Sequence, residues 1–89
     1  MSQYDIAIEP DVFKKLDRLD RTVRIRIEKV IDRLRSQPRP AQATRLVGSR
    51  DVWRVRAGDW RILYTIDDGV LLVLVIDVDH RSVVYDPRR

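Results

Sequence analysis

The sequence predicts an α+β fold in which a helical hairpin packs on one face of a mostly antiparallel β-sheet. Two amphipathic helical patterns occupy the first half of the chain, and β-type patterns occupy the second half. Two short turn motifs, Gly58-Asp59 and Asp68-Gly69, divide the second half into hairpins. The expected order of elements is therefore β-α-α-β-β-β-β. The 89 residues allow one modest hydrophobic core, so we expect a single domain over residues 1–89.

The first half of the chain predicts one strand and two helices. Large apolar side chains alternate with smaller or polar ones over residues 4–8, which is typical of a strand. Pro10 suits the first position of a helix, where its missing N–H group costs no hydrogen bond. Asp20 is a favourable N-cap for a second helix, whose apolar residues recur along one side as far as Leu34. Residues 36–43 contain two prolines and are interpreted as a stiff connector.

The second half predicts four strands, at residues 45–47, 52–57, 60–67 and 70–78. The Gly58-Asp59 turn sets the register of the middle two, because a two-residue loop places its flanking residues opposite each other. The resulting pairs are Ala57–Trp60, Arg56–Arg61 and Arg54–Leu63. Since side chains alternate along a strand, the three arginines share one face. The aromatic residues Trp53, Trp60 and Tyr64 share the other face, toward the helices.

A two-residue turn at Asp68-Gly69 extends this register to the last strand. It places Asp67 opposite Val70, Leu63 opposite Leu74 and Arg61 opposite Ile76. The arginine face then continues into an apolar strip formed by Leu63, Leu72, Leu74, Ile76 and Val78. Two helices can cover only one face of the sheet. We therefore expect this strip to bind a protein partner, or to be covered by residues 82–89.

The charge of the chain is compatible with a polyanionic ligand. The net charge is +4 and the sequence pI is about 10.0, which suits a phosphate backbone or an acidic protein. A solvated surface rich in arginine fits the composition equally well, and helix arginines such as Arg26 and Arg33 are interpreted in that way. The arginines of the hairpin are interpreted differently from those of the helices, because Arg56 directly opposite Arg61 destabilises the hairpin. That pair favours a site for a polyanion.

Other features of the sequence exclude whole classes of site. The chain has no cysteine, so it has no disulfide and no thiolate metal site. Its first residues do not have the pattern of a secretory signal, and the longest apolar run, residues 70–76, is too short to span a bilayer. We expect a cytoplasmic protein without a metal or another cofactor.

Three segments carry a family resemblance. They are Leu46-Val47-Gly48, the hairpin from Trp53 to Asp68, and Asp79-His80-Arg81-Ser82-Val83-Val84-Tyr85. In this order and at these separations they resemble the RelE branch of the RelE/ParE toxin superfamily. The length and the expected order of elements agree with that family over essentially the whole chain.

The resemblance implies the toxin of a type II toxin–antitoxin system that acts as a ribosome-dependent, metal-independent endoribonuclease. Such a toxin cuts messenger RNA in the ribosomal A site by attack of the 2′-hydroxyl group of the RNA, and thereby inhibits translation. Its partners would be a RelB-like antitoxin, the ribosome with its messenger RNA, and operator DNA bound together with the antitoxin. No membrane is involved.

The resemblance also assigns roles to individual residues. Arg61 would stabilise the charged transition state, Arg81 would assist at the leaving oxygen, and Tyr85 would orient or stack the substrate; Tyr85 also fits a core position. The catalytic set is Arg61, Arg81, Tyr85 and Arg56. The RNA-binding set is Arg54, Arg56, Arg45 and His80. The expected antitoxin contacts are Leu63, Leu72, Leu74 and Ile76 of the apolar strip.

One departure from the family affects the expected mechanism. Arg54 and Arg56 stand where relatives often carry lysine, and arginine stays protonated, so Arg56 is a poor general base. His80 has a suitable ordinary pKa, but it equally fits a structural role. Its usual glutamate partner near the hairpin is absent, and only Asp51 is found there. Two alternatives remain: a ParE-like toxin that inhibits gyrase, and a non-catalytic module that binds an antitoxin or operator DNA.

Overall fold

A computed structural model describes residues 3–48 and 51–82 of the chain. The elements are β1 (Asp5–Ile8), α1 (Pro10–Asp17), α2 (Arg21–Arg33), β2 (Thr44–Arg45), β3 (Val52–Ala57), β4 (Trp60–Asp67) and β5 (Leu72–His80). The strands form one sheet in the order β1-β5-β4-β3-β2. β1 is parallel to β5, and the other neighbouring strands are antiparallel. The predicted fold class and order of elements are confirmed.

The two helices begin where the sequence places them. Pro10 is the first residue of α1. The Asp20 carboxylate accepts a hydrogen bond from the backbone N–H of Thr22 at 3.1 Å, and so caps α2. β2 is shorter than the predicted strand at residues 45–47, and Val47 beyond it is fully exposed. No helix in the described part of the chain is long and apolar enough to cross a membrane.

Both helices cover the same face of the sheet and form the core with it. The buried side chains of this core are Val12, Leu16, Ile27, Ile31, Leu34, Val55, Ala57, Ile62, Tyr64, Val73, Val75 and Val78. Trp53 and Trp60 pack against them, so the aromatic residues lie on the helix side as predicted. Tyr64 is fully buried, and its hydroxyl group donates a hydrogen bond to the Pro38 carbonyl at 2.7 Å. Burial raises the pKa of Tyr64 to about 12.

The connector between α2 and β2 is hydrogen-bonded to the loop between β4 and β5. Arg39 donates two hydrogen bonds to the Asp68 carboxylate, at 3.2 and 2.9 Å, and its guanidinium group lies 5.6 Å from the centre of the Trp53 ring. The Tyr4 hydroxyl group donates to the same carboxylate at 2.5 Å. The hydrogen bonds from Arg39 and Tyr4 lower the pKa of Asp68. No local pattern could assign this contact to Tyr4, because its partner is 64 residues away.

The predicted register between β4 and β5 is wrong, and the first reason is the turn. Asp67 lies opposite Leu72 rather than Val70, so four residues form the loop instead of two. The Asp67 carboxylate accepts hydrogen bonds from the backbone N–H groups of Gly69 and Val70, at 2.9 and 3.3 Å, which stabilises the wider loop. Leu71 completes the loop with a φ of 54°. As a result β5 covers Leu72–His80 and not residues 70–78.

The second reason is a β-bulge in β5. Tyr64 lies opposite Val75, whereas the preceding Leu63 lies opposite Asp77, so Ile76 is the extra residue. One extra residue reverses the alternation of side chains beyond it. Arg61 therefore lies opposite Asp79 and not Ile76, and Leu63 lies opposite Asp77 and not Leu74.

The bulge also changes the predicted apolar strip. Val78 belongs to the core beneath the helices and is 1% exposed, so it is not on the arginine face. Leu63 is buried as well, with 7% exposed. Leu72, Leu74 and Ile76 are partly buried. The exposed apolar strip of the sequence prediction is thus reduced to these last three side chains.

Candidate functional site

The β3–β4 hairpin gathers three arginines on the sheet face that points away from the helices. Its register is as predicted: Ala57 pairs with Trp60, Arg56 with Arg61, and Arg54 with Leu63. Gly58 has a φ of 62°, a conformation that glycine adopts at little cost, which allows the tight turn. Because side chains alternate, Arg54, Arg56 and Arg61 lie on one side of the hairpin. We call Arg54, Arg56, Arg61 and Arg81 the arginine cluster.

Arg61 is held by a buried carboxylate within this cluster. Its Nε atom donates a hydrogen bond to Oδ1 of Asp79 at 2.8 Å, and its Nη2 atom donates to the His80 carbonyl at 3.3 Å. The two side chains are only 13% and 7% exposed. Among the described residues, Asp79 is the one buried charged side chain. This pairing explains how the fold tolerates two arginines opposite each other, since the charge of Arg61 is compensated locally.

Arg81 lies at the turn of the same hairpin. Its backbone N–H donates a hydrogen bond to the Asp59 carbonyl at 2.7 Å, and its Nε atom is 3.5 Å from the Asp59 carboxylate. Both side chains are well exposed, at 68% and 61%. Arg81 directly follows β5, so it lies close in the chain to Asp79, the partner of Arg61.

Two predicted RNA-binding residues lie outside the cluster. His80 is opposite Trp60 on the helix side of the sheet, and the two rings meet edge to face at 5.3 Å. Its Nδ1 atom lies 2.8 Å from the Ser82 hydroxyl group and accepts a hydrogen bond from the Ser82 backbone N–H. Arg45 is exposed and lies opposite Trp53, not opposite an arginine. The structure thus separates His80 and Arg45 from the arginine face.

Tyr85, the remaining predicted catalytic residue, lies outside the described residues. The structure adds two residues that sequence reasoning did not place at the site, namely Asp79 and Arg26. The Nη1 atom of Arg26 lies 2.9 Å from the position that a Cβ atom on Gly58 would occupy, so this α2 side chain packs on the hairpin turn. No local pattern could have identified either residue, since one depends on the β-bulge and the other on the docking of α2.

Comparison with known proteins identifies the family. The family model described as "ParE toxin of type II toxin-antitoxin system, parDE" matches residues 6–85. A comparison with curated protein sequences gives no match.

Several solved structures share the fold. RelE in the RelE–RelB complex from Pyrococcus horikoshii is 24% identical, with a TM-score of 0.81, over 92% of this chain and 99% of that one. The RelBE2 toxin–antitoxin complex from Mycobacterium tuberculosis matches with 23% identity and a TM-score of 0.79, over 89% and 99% of the two chains. The intact RelBE complex from Escherichia coli matches with 26% identity and a TM-score of 0.74, over 86% and 95%. The chain therefore belongs to the ParE toxin family of type II toxin–antitoxin systems, within the RelE/ParE superfamily, and has the RelE-like fold.

Proposed function

We propose that this toxin is an endoribonuclease that cuts messenger RNA on the ribosome. The observation that carries the proposal is the arginine cluster: three guanidinium groups on one sheet face and a fourth at the adjoining turn. Guanidinium groups bind phosphates through paired hydrogen bonds, and they stabilise charge that develops on a phosphate in a transition state. A surface that serves protein contact alone has no need of opposed arginines.

The cluster supports a cleavage in which the RNA supplies its own nucleophile. The 2′-hydroxyl oxygen loses its proton and attacks the adjacent phosphorus, and the bond from phosphorus to the 5′ oxygen breaks. The 5′ oxygen takes up one proton, so the products are a 2′,3′-cyclic phosphate and a 5′-hydroxyl group. Arg61 would stabilise the charge on the phosphate, and Arg81 would act beside the leaving oxygen. Arg54 and Arg56 would hold neighbouring phosphates, and Tyr85 would orient the substrate.

The proposed roles concern charge and orientation rather than proton transfer. A guanidinium group is a donor of hydrogen bonds and not a proton acceptor, so Arg56 does not take the proton of the 2′-hydroxyl group. His80 lies on the opposite face of the sheet, packed against Trp60. Neither side chain therefore serves as the general base in this proposal.

We also propose that a RelB-like antitoxin binds and inhibits this toxin in the cytoplasm. The similar structures from Pyrococcus horikoshii, Mycobacterium tuberculosis and Escherichia coli are complexes with RelB or of the RelBE type. Of the apolar strip, Leu72, Leu74 and Ile76 keep some exposed surface for such a contact, whereas Leu63 is 7% exposed and adds almost none. Operator DNA would be bound together with the antitoxin.

The function is tested by arginine substitutions at the cluster and at a matched position. We expect Arg81→Ala to lower the rate of cleavage of ribosome-bound messenger RNA by about 10²-fold, as loss of a transition-state contact does. Arg24→Ala is the control, because Arg24 is a half-exposed arginine of α2, on the helix side of the sheet, that pairs with Asp17. Primer extension after induction locates the cuts. Intact messenger RNA in cells that express the unchanged toxin would contradict the proposal.

A second candidate function is inhibition of DNA gyrase, as in the toxins for which the matching family is named. Neutralisation of Arg61 by Asp79 favours it, since a compensated charge attracts phosphate less strongly. The same induced cells separate the two functions. Loss of plasmid supercoiling with intact messenger RNA would indicate gyrase inhibition, and cuts within codons without loss of supercoiling would indicate the nuclease.

A further inference from the structure

We propose that Asp79 is the positioning residue of Arg61: it fixes the orientation of the guanidinium group that meets the scissile phosphate. The inference rests on the proposed nuclease function. Nε of Arg61 donates a hydrogen bond to Oδ1 of Asp79 at 2.8 Å, in a place where both side chains are largely shielded from water. A charge-assisted hydrogen bond in such surroundings is short and directional.

Arg61 needs such a partner because of its position in the hairpin. Arg56 is directly opposite, and an unpartnered guanidinium group would move away from this like charge toward solvent. A free arginine side chain also loses rotamer entropy when it is immobilised by a ligand. The bonds from Nε to Asp79 and from Nη2 to the His80 carbonyl fix the side chain before any substrate is bound. Orientation before binding is the condition for a large contribution to the rate.

The position of Asp79 is a consequence of the β-bulge at Ile76. Without the extra residue, Val78 would lie opposite Arg61 and Asp79 would point to the helix side. The bulge instead aligns a carboxylate with the arginine and places Val78 in the core. A β-bulge that turns a side chain toward a site is a recurrent device in proteins.

Asp79 has two opposite effects on the arginine cluster, and substitutions can separate them. The carboxylate orients Arg61, but it also weakens the attraction of the cluster for RNA. Asp79→Asn keeps an oxygen that accepts the Nε hydrogen bond and removes the negative charge. Because this neutral hydrogen bond is weaker than the charge-assisted one, Arg61 is held less firmly, and we expect kcat to fall by less than in Asp79→Ala. RNA should bind as tightly as before or more tightly. Misorientation of a catalytic group costs about 10²-fold, so Asp79→Ala should lower kcat by about that factor.

The control is Asp32→Asn, which makes the same change in charge at an exposed residue of α2 that pairs with Arg35. Cleavage of ribosome-bound messenger RNA is measured to separate kcat from KM. Unchanged kcat in Asp79→Asn and Asp79→Ala would overturn the proposal. An equal rise in KM in both variants would overturn it too, because that result indicates general damage to the binding surface. Should Asp79→Ala not fold, Asp79→Asn and Asp79→Glu decide the question.

A second readout does not depend on cleavage. In an NMR experiment, we expect the Nε–H proton of Arg61 to exchange slowly with solvent, and to exchange at the rate of a surface arginine in Asp79→Ala. Arg61→Lys identifies the signal. Rapid exchange in the unchanged protein would show that Asp79 does not hold Arg61. If the unchanged toxin cuts no RNA but its Arg61 proton is protected, the nuclease function fails and Asp79 is a structural partner only.

Discussion

The Arg61–Asp79 pair has a large expected effect on stability, which can be measured without knowing the substrate. Removing one partner of a buried ion pair leaves an uncompensated charge and costs about 3–5 kcal/mol, against about 0–1 kcal/mol for an exposed pair. Asp79 is 7% exposed and its side chain is short, so we expect Arg61→Ala to cost about 4 kcal/mol. Asp79→Ala should cost less, about 3 kcal/mol, because the long arginine side chain can turn outward.

These costs are a large share of the total free energy of unfolding. A chain of 89 residues has a free energy of unfolding of about 4–13 kcal/mol. With an m-value of about 1 kcal/mol per molar urea, Asp79→Ala lowers the urea midpoint by about 3 M. Fluorescence of the two tryptophans, Trp53 and Trp60, reports the transition, since both pack against the core.

A double-mutant cycle tests the reasoning directly. The variant with alanine at both positions loses the two charges together, so it should be more stable than the sum of the single changes predicts, by about 2 kcal/mol or more. The coupling energy of the Asp32–Arg35 pair is the comparison, since Asp32 is 75% exposed and Arg35 is 45% exposed. A coupling energy below about 0.5 kcal/mol, the value of an exposed pair, would refute the claim that burial makes the Arg61–Asp79 pair important.

Three further predictions concern the scaffold. Tyr64→Phe leaves the Pro38 carbonyl without its hydrogen bond and should cost about 1–3 kcal/mol in urea unfolding. Because burial raises the pKa of Tyr64 to about 12, its contribution to the free energy of unfolding is complete below pH 10 and is lost as the pH rises through about 12. Absorbance at 295 nm should show a late phase of tyrosine ionisation that Tyr64→Phe removes. Arg39 and Tyr4 lower the pKa of Asp68 from its ordinary value of 3.8. The contribution of Asp68 to the free energy of unfolding is therefore present above pH 3.8 and is lost as the pH falls through the lowered pKa. Asp68→Asn should make the free energy of unfolding less dependent on pH in acid. Gly58→Ala should cost about 1 kcal/mol for its φ of 62°. Gly48→Ala measures that strain without the contact to Arg26, since Gly48 has a φ of 83° and no atom of the described residues, its chain neighbours aside, lies within 4 Å of the added Cβ.

The predictions that succeeded depend on residues close in sequence. The Gly58-Asp59 turn has its own conformational preference, and it determines the β3–β4 register and the shared face of Arg54, Arg56 and Arg61. Pro10 and Asp20 begin the helices for reasons that lie within one helical turn. The superfamily could be identified from motifs in those same segments, and the family match confirms it.

The predictions that failed concern the register between β4 and β5, which depends on contacts that a two-residue turn motif does not contain. Asp68-Gly69 is also a favourable two-residue turn, yet the Asp67 carboxylate stabilises a wider loop, and Tyr4 and Arg39 hold Asp68 from distant parts of the chain. The bulge at Ile76 then shifts the remaining residues of β5 by one. Since strand side chains have a period of two, a shift of one residue moves each of them to the other face.

By itself, then, the sequence determined the superfamily, the order of elements and the arginine face of one hairpin, because local conformational preferences suffice for these. Only the tertiary structure decided what each arginine contacts. The packing of β5 between β1 and β4 places Asp79 beneath Arg61 and directs His80 to the helix side. A register between strands depends on how the whole sheet packs, and no short segment of the chain contains that information.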